Sequence, residues 1–423
     1  MRRGGGARDG RIDSPFETGL RRNWKQFALL VVVNAFVGSV VGTERTLLPL
    51  LGSQVFGIAS SAAILSFLVS FGLVKAIANA TAGYFSDVHG RRQILLVGWI
   101  VGIPVPFFLL FTPPPHWWLI VLANGFLGVN QGLCWSMTVV SKIDLVGSRR
   151  RGLATGLNEF AGYAAVGGTA LLTSFLAGTY GIRAVPFAVG LAAIGAGLLL
   201  SAGFVRETKP FAERESIASG AGPTFRSVFA DASWRNRSLF ACSQGGLVNN
   251  LNDGIAWGLL PLFLVGRGLA TEQVGLVTGL YPISWGFLQL VTGPASDRIG
   301  RKPLIVAGMW VQAVGFVWFV AGNELLAWAG ACLLLGLGTA MVYPTYLSAV
   351  SDLAPPEARG ATVGVYRFWR DLGFAVGAVV VGLFADARGL DAAMVFTGAL
   401  TLASGVVVFF ALRETRNPRA LGR

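Results

Sequence analysis

Long apolar runs alternate with short polar segments along most of this chain, and this alternation predicts membrane-spanning helices. Each run is about 20 residues long, which is the length that an α-helix needs to cross a bilayer. Twelve runs can be delimited, at residues 26–51, 59–85, 93–111, 118–140, 153–177, 184–205, 238–264, 272–295, 303–321, 325–350, 361–384 and 391–412. The pattern therefore predicts an all-α membrane protein with twelve transmembrane helices and both termini on the same side.

The composition agrees with a membrane protein. Hydrophobic residues make up 53% of the 423 residues and charged residues only 13%, well below the roughly 25% that is typical of soluble domains. This composition excludes a disordered chain and an ordinary cytosolic enzyme. The three cysteines and two histidines lie at no metal-ligand spacing, so we expect no metal, no cofactor and no enzymatic activity.

The net charge of +13 has an uneven distribution along the chain. Of the 34 Lys and Arg residues, 27 fall on the side of the termini, while the opposite side has Arg183, Arg267 and Arg388. The positive-inside rule therefore predicts a multi-pass protein of the plasma (inner) membrane with both termini in the cytoplasm. Because the basic residues are spread over seven segments and form no single stripe, we expect no nucleic-acid partner.

The chain also repeats itself at a spacing of about 210 residues. A loop motif with Gly83, Asp87, Gly90, Arg91 and Arg92 returns in a second copy that contains Gly293, Asp297, Arg298, Gly300, Arg301 and Lys302. The repeat predicts two six-helix bundles, an N-terminal half (26–205) and a C-terminal half (238–412). A cytoplasmic tail (1–25), a central linker (206–237) and a C-terminal tail (413–423) complete the predicted organisation.

These motifs resemble the loop signature of the major facilitator superfamily, Gly-x-x-x-Asp-Arg-x-Gly-Arg-Arg/Lys, between helices 2 and 3 and again between helices 8 and 9. The second copy matches fully, whereas the first has Val88 where arginine is usual. The resemblance covers residues 20–415 and implies a secondary transporter that works by alternating access, with a small-molecule substrate, as a monomer. It also implies that the loop is a latch on the cytoplasmic side, although topogenic charge with a turn is an alternative. Gly83 would then let helix 2 approach a neighbouring helix closely.

Eight charged residues fall inside the predicted membrane region: Glu44, Arg45, Lys75, Glu159, Asp253, Arg367, Arg370 and Asp371. Each costs roughly 2.5–3.5 kcal/mol unless it is paired or hydrated, which makes each a functional candidate. The formal charges of these four acids and four bases cancel.

Lys75 and Asp371 lie at similar depth, each twelve residues from the cytoplasmic end of its helix, or ~18 Å. Since helices 2 and 11 face each other in the resembling fold, we predict an ion pair between the two halves. The alternative is a local pair between Asp371 and Arg367, four residues earlier on the same helix. Glu159 and Arg367 occupy equivalent positions of the repeat, and Glu159 either carries a proton or neutralises an arginine.

Glu44 and Asp253 are the predicted substrate or proton sites of the two halves. Asp253 lies in a polar patch with Asn249, which indicates a water-filled cavity. An outer-rim pair with a snorkelling Arg45 is the alternative for Glu44. Further candidates are Asn130, Gln131 and Tyr343.

The leading hypothesis is proton-coupled efflux of an amphipathic or cationic compound, with the lipid bilayer and protons as further partners. The arginine often found in helix 4 of the family is absent from 128–132, and the Gly-Pro motif of antiporters is absent from 162–168. Both absences weaken an antiporter assignment. The alternative is carriage of an anion by Arg367, Arg370 and Lys75. A sensor on the same fold that binds ligand without transport has no support beyond the fold.

Overall fold

The computed structural model describes residues 18–147, 151–211, 224–355 and 358–415. Most of the N-terminal tail (1–17), part of the linker (212–223), the stretch 148–150 with two of the counted arginines, and the end of the C-terminal tail (416–423) lie outside the described residues. Within the described ranges the regular structure is helical and no strand occurs. The predicted all-α membrane fold is confirmed.

The N-terminal half contains eight helices: α1 (Leu20–Arg45), α2 (Leu47–Gln54), α3 (Ser61–His89), α4 (Arg91–Gly102), α5 (Pro104–Phe111), α6 (Trp117–Val146), α7 (Arg151–Tyr180) and α8 (Ala184–Phe204). The linker contributes α9 (Phe225–Ala230) and a π-helical turn (Asp231–Arg235). The C-terminal half contains α10 (Arg237–Gly258), α11 (Leu260–Gly266), α12 (Thr271–Ile299), α13 (Arg301–Ala321), α14 (Leu325–Leu353), α15 (Arg359–Arg388) and α16 (Leu390–Ala411).

Three of the predicted helices are each broken into two, at Thr46, Ile103 and Leu259. A proline follows each break within three residues: Pro49, Pro106 and Pro261. Proline has no N–H to donate to the carbonyl four residues earlier, and its ring crowds that carbonyl. The first, third and seventh predicted helices are therefore interrupted where the hydropathy pattern predicted continuous runs.

Eleven helical segments of the described chain are long and apolar enough to cross a membrane. The predicted span without such a match is the seventh, α10 with α11, where α10 contains Asn249, Asn250, Asn252 and Asp253. The outside of the bundle is apolar, with Phe111, Leu199 and Leu326 more than 70% exposed. This is the surface expected to face lipid tails.

Two pairs of helices join the halves. α3 packs on α15, and α7 packs on α12. Inside each half, α1 packs on α7 and α10 packs on α15. Small residues allow these close approaches: a Cβ on Gly38 would collide with the Gly162 carbonyl, and a Cβ on Gly373 would collide with the Leu247 carbonyl. Helices in a membrane associate mainly through such close van der Waals packing.

Candidate functional site

The first copy of the loop motif is organised by the arginine that begins α4. Arg91 Nη1 donates to Asp87 at 2.5 Å, and its Nε donates to Asp144 at 3.3 Å. The Glu207 carboxylate accepts hydrogen bonds from the backbone N–H groups of Arg91 at 2.8 Å and Arg92 at 3.1 Å. These N–H groups have no partner inside the helix, so Glu207 caps α4.

The second copy repeats this network at the start of α13. Arg301 donates to Asp297 at 2.7 Å and to Asp352 at 3.2 Å. Glu414 accepts from the backbone N–H groups of Arg301 at 2.9 Å and Lys302 at 3.0 Å. The internal repeat of the sequence therefore has a structural counterpart in which one acid after the last helix of each half caps a helix in the same half.

Four acids of these networks are missing from the predicted site: Asp144, Glu207, Asp352 and Glu414. A signal for them exists, because Asp-Leu and Arg-Glu-Thr recur at offsets of 208 and 207 residues. The repeat marks these positions as equivalent, but it does not reveal that they meet the arginine, since they follow distant helices.

The glycines of the motif divide into two kinds. Gly90 and Gly300 have φ of 96° and 110° with ψ near 155°, a backbone region that is open essentially to glycine alone. At Gly83 and Gly293, a Cβ added to the backbone would have no heavy atom within 4 Å. The expectation that Gly83 supports a close helix approach is therefore wrong in this conformation. The other motif residues lie at the helix ends, with Arg92 donating to the Ala202 carbonyl, Lys302 near the Phe409 ring and Arg298 exposed.

Asp371 of α15 forms polar contacts with both halves. Its Oδ1 lies 3.4 Å from Lys75 Nζ and 3.0 Å from Arg370 Nη1. Its Oδ2 accepts a hydrogen bond from Asn79 of α3. The partner on the same helix is thus Arg370, and the alternative pair with Arg367 is wrong. The geometry brings Lys75 and Asp371 together as predicted, while their role in transport stays a prediction.

A second ion pair joins the two halves, and the sequence did not predict it. Arg45, at the end of α1, donates to Asp253 of α10, and both side chains are 3% exposed. The Arg45 guanidinium also lies 5.9 Å from the Trp257 ring centre and 5.4 Å from that of Tyr281. Arg45 is therefore buried and paired across the interface, which contradicts the picture of an arginine that snorkels at the outer rim.

Two of the three asparagines around Asp253 form hydrogen bonds inside their own half. Asn249 accepts from Gln312 of α13 at 3.0 Å, and Asn252 donates to Gln312 at 2.9 Å. Thr401 of α16 donates to Asn252 at 2.8 Å. The patch is a buried polar network in which the amide of Asn250 has no hydrogen-bond partner among the described residues, and the water-filled cavity stays a prediction.

The other polar candidates of the N-terminal half are also buried. Asn130 donates to the Gly98 carbonyl at 2.9 Å and Gln131 to the Val37 carbonyl at 3.1 Å, so both hold neighbouring helices together. Glu44 is fully buried, and neither of its carboxylate oxygens has a hydrogen-bond partner among the described residues. Its suggested rim pair with Arg45 is wrong, and its role as a proton or substrate site stays a prediction.

An aromatic cluster spans the interface near the middle of the membrane. Tyr163 of α7 stacks on Trp285 of α12 with ring centres 3.4 Å apart, and Trp285 meets Tyr343 of α14 edge-on at 5.5 Å. Trp135 packs against Tyr163 and donates to Glu159 at 2.9 Å. Glu159 is buried, and its Oε2 lacks a hydrogen-bond partner among the described residues.

The two arginines of α15 differ in their surroundings. Arg370 is buried over the Tyr343 ring, pairs with Asp371 and donates to the Tyr163 hydroxyl at 3.2 Å. Arg367 is half-buried, and no hydrogen bond or ion pair joins it to another described residue. Arg367 is thus the arginine of this pair that is free to meet a ligand.

The two halves are in contact near one side of the membrane, and glycines with open space beside them lie near the other side. We name the side that carries the termini, predicted to be cytoplasmic, the cytoplasmic side, and the opposite side the outer side. Near the outer side, a Cβ on Gly275 would collide with Ser174 across the interface. On the cytoplasmic side, all four interface helices carry a glycine with no heavy atom within 4 Å of an added Cβ: Gly83, Gly156, Gly293 and Gly364.

Two helical bundles with paired charges and aromatic rings between them define the fold of a secondary transporter. The family model described as Major Facilitator Superfamily matches residues 27–251 and 242–423. The chain belongs to this superfamily, whose members are transporters.

Similar proteins agree with this class. The solved human organic anion transporter MFSD10 has a TM-score of 0.66 at 17% identity, over 90% of this chain and 99% of that one; likeness at this identity concerns the fold. An uncharacterized MFS-type transporter of Methanocaldococcus jannaschii is 23% identical over 39% of this chain and 42% of its own length. The multidrug resistance protein MdtH of Aeromonas salmonicida is 30% identical over 28% of this chain and 30% of its own length. The chain thus matches less than half the length of these curated relatives.

Proposed function

We propose that the protein exports a small amphipathic or cationic compound in exchange for protons, through a site between its two halves. The observation that carries the proposal is Glu159, a buried carboxylate with one oxygen that has no partner among the described residues. Such a group is stabilised when it takes up a proton or meets a cation. Glu159 lies one helical turn from Tyr163, which stacks on Trp285 of the other half.

Two further observations support export of an amphipathic or cationic compound. The rings of Trp135, Tyr163, Trp285 and Tyr343 form a cluster between the halves, and separation of Tyr163 from Trp285 would uncover faces on which a planar or cationic ligand can stack. Partial matches to proteins named multidrug resistance protein MdtH agree with this direction of transport. We expect a monomer in the plasma (inner) membrane with both termini in the cytoplasm.

The test measures ethidium, a planar aromatic cation, in proteoliposomes with an imposed pH gradient. We expect the gradient to drive ethidium flux and Glu159→Gln to lower that flux about tenfold or more, because the amide cannot exchange a proton. The control is Asp391→Asn, which changes an exposed acid that pairs with Arg267 inside one half. Ethidium flux that ignores the pH gradient in the unaltered protein would refute proton coupling.

The second candidate is transport of an organic anion, which the unpartnered Arg367 favours. A free guanidinium at the edge of the site can hold a carboxylate by two parallel hydrogen bonds. The same proteoliposomes, loaded with fluorescein in place of ethidium, distinguish the two. Fluorescein flux that Arg367→Gln abolishes, with no ethidium flux, would establish the anion as the substrate class.

A further inference from the structure

The outer ends of α15 and α3 are joined by one carboxylate. Asp386, near the end of α15, accepts a hydrogen bond from the Ser60 hydroxyl at 2.6 Å and from the backbone N–H groups of Ser61 at 2.5 Å and Ala62 at 3.2 Å. Ser60 is the N-cap residue of α3, and its hydroxyl oxygen also accepts from the Ala63 N–H at 3.1 Å. A side chain of the C-terminal half thus completes the cap of a helix in the N-terminal half.

The close approach that this contact needs is built into α15. Gly382 lies one turn before Asp386 on the same face of the helix, and a Cβ at this position would lie 3.0 Å from the Ala62 Cα. A larger residue would push α15 away from α3. The glycine therefore brings the Asp386 carboxylate within reach of the first turn of α3.

At the equivalent corner, the described residues form no such contact. The repeat relates Asp386 to Gly178 of α7, and the start of α3 to the start of α12. There the Ala270 N–H is satisfied by Gln273 of its own helix at 3.0 Å. The Glu272 side chain packs against Gly178, but its carboxylate accepts no hydrogen bond from α7 among the described residues. The N-terminus of α12 is thus capped from within its own helix, whereas the N-terminus of α3 is also capped across the interface.

We propose that Asp386 and the first turn of α3 form an outer latch, which stabilises the conformation closed on the outer side and breaks whenever that side opens. The contact can form only while the outer ends of the two halves touch. A carboxylate is favoured at a helix N-terminus by the helix dipole and by charge-assisted hydrogen bonds. Because Asp386 is exposed, water competes for it, so the latch biases the equilibrium without locking it. The latch is independent of what the protein carries.

The test follows how often the outer side opens. The reporter is Leu65→Cys, with the three native cysteines replaced by alanine. Leu65 is fully buried and packs against Gly258 of the opposite half. In membranes with the outer side exposed, a membrane-impermeant maleimide can reach this position only after opening, so its reaction rate follows the open population. We expect Asp386→Ala to raise this rate about tenfold.

Two controls make the result decisive. Asp391→Ala removes another exposed outer acid, whose partner Arg267 lies in the same half, and should leave the rate unchanged. A protein that retains Cys332, which is buried in the C-terminal half, as its single cysteine reports general loosening and should not react faster when Asp386 is changed. An unchanged rate at Leu65→Cys, an equal rise with Asp391→Ala, or a parallel rise at Cys332 would each overturn the latch.

Discussion

Arg45 and Asp253 show how single residues connect the halves of this molecule. Arg45 is the last residue of α1, whereas Asp253 lies five residues before the end of α10, so the two do not occupy equivalent positions of the repeat. They carry opposite charges and meet across the interface. Each residue therefore neutralises the other in a region where an unpaired charge is costly.

The ion pair leads to a prediction about stability. Arg45→Met leaves Asp253 buried without its partner, and we expect a loss of about 3–5 kcal/mol in the free energy of unfolding. The double variant Arg45→Met with Asp253→Leu should recover most of that loss, because no charge is left buried. Thermal unfolding of the purified protein in detergent measures both effects.

The matched control for this pair is Arg267→Met, which removes the partner of Asp391 at the surface. Since Arg267 and Asp391 are 34% and 58% exposed, we expect a change below about 1 kcal/mol. A double variant no more stable than Arg45→Met alone would show that the buried pair is not the source of the loss.

The sequence was sufficient to predict some contacts between charged residues and not others. The contact of Lys75 with Asp371 was predictable from depth together with the resembling fold, because both lie at the same distance from the cytoplasmic ends of two helices that face each other in that fold. The contact of Arg45 with Asp253 was not predictable in this way, because the two residues lie at different distances from the ends of α1 and α10. The burial of Glu44 was not, since hydropathy does not say which face of a helix points into its own bundle.

At the scale of helices, the apolar runs predicted the observed elements to within several residues at most ends. The errors have a local cause, because proline interrupts a helix without interrupting its hydrophobicity. The ends of α3 and α12 are fixed by glycines that turn the chain into the next helix. These glycines, Gly90 and Gly300, could be recognised because they recur in the repeat. The glutamates beside them, Glu207 and Glu414, come from distant segments of the chain.

The backbone therefore requires glycine at position 90 more strictly than at position 83. Alanine at position 90 would adopt a disfavoured φ of 96° and press on the Glu207 carboxylate, so we expect Gly90→Ala to cost about 1–3 kcal/mol in the free energy of unfolding. Gly83→Ala, in an open helical position, should be neutral or slightly stabilising. Thermal unfolding compares the two, and equal losses would contradict the assigned roles.

At the scale of the whole molecule, the two halves touch near the outer side, where Gly275 packs against Ser174. The open glycines at the cytoplasmic ends of α3, α7, α12 and α15 leave room for those ends to approach when the outer side separates. Hydropathy and the repeat predicted the two bundles, whose boundaries stay predictions. Which side is closed could not be predicted, because both conformations use the same helices and the same apolar pattern.

Distances between spin labels on the two sides of the membrane test alternating access most directly. Gln54→Cys with Ala387→Cys reports the outer side, and Val88→Cys with Ile299→Cys reports the cytoplasmic side; all four positions are exposed. We expect a pulsed electron paramagnetic resonance series from pH 5 to pH 9, with ethidium present, to change the two distances in opposite directions. Two distances that lengthen together, or that both stay fixed while the protein carries ethidium, would contradict the account.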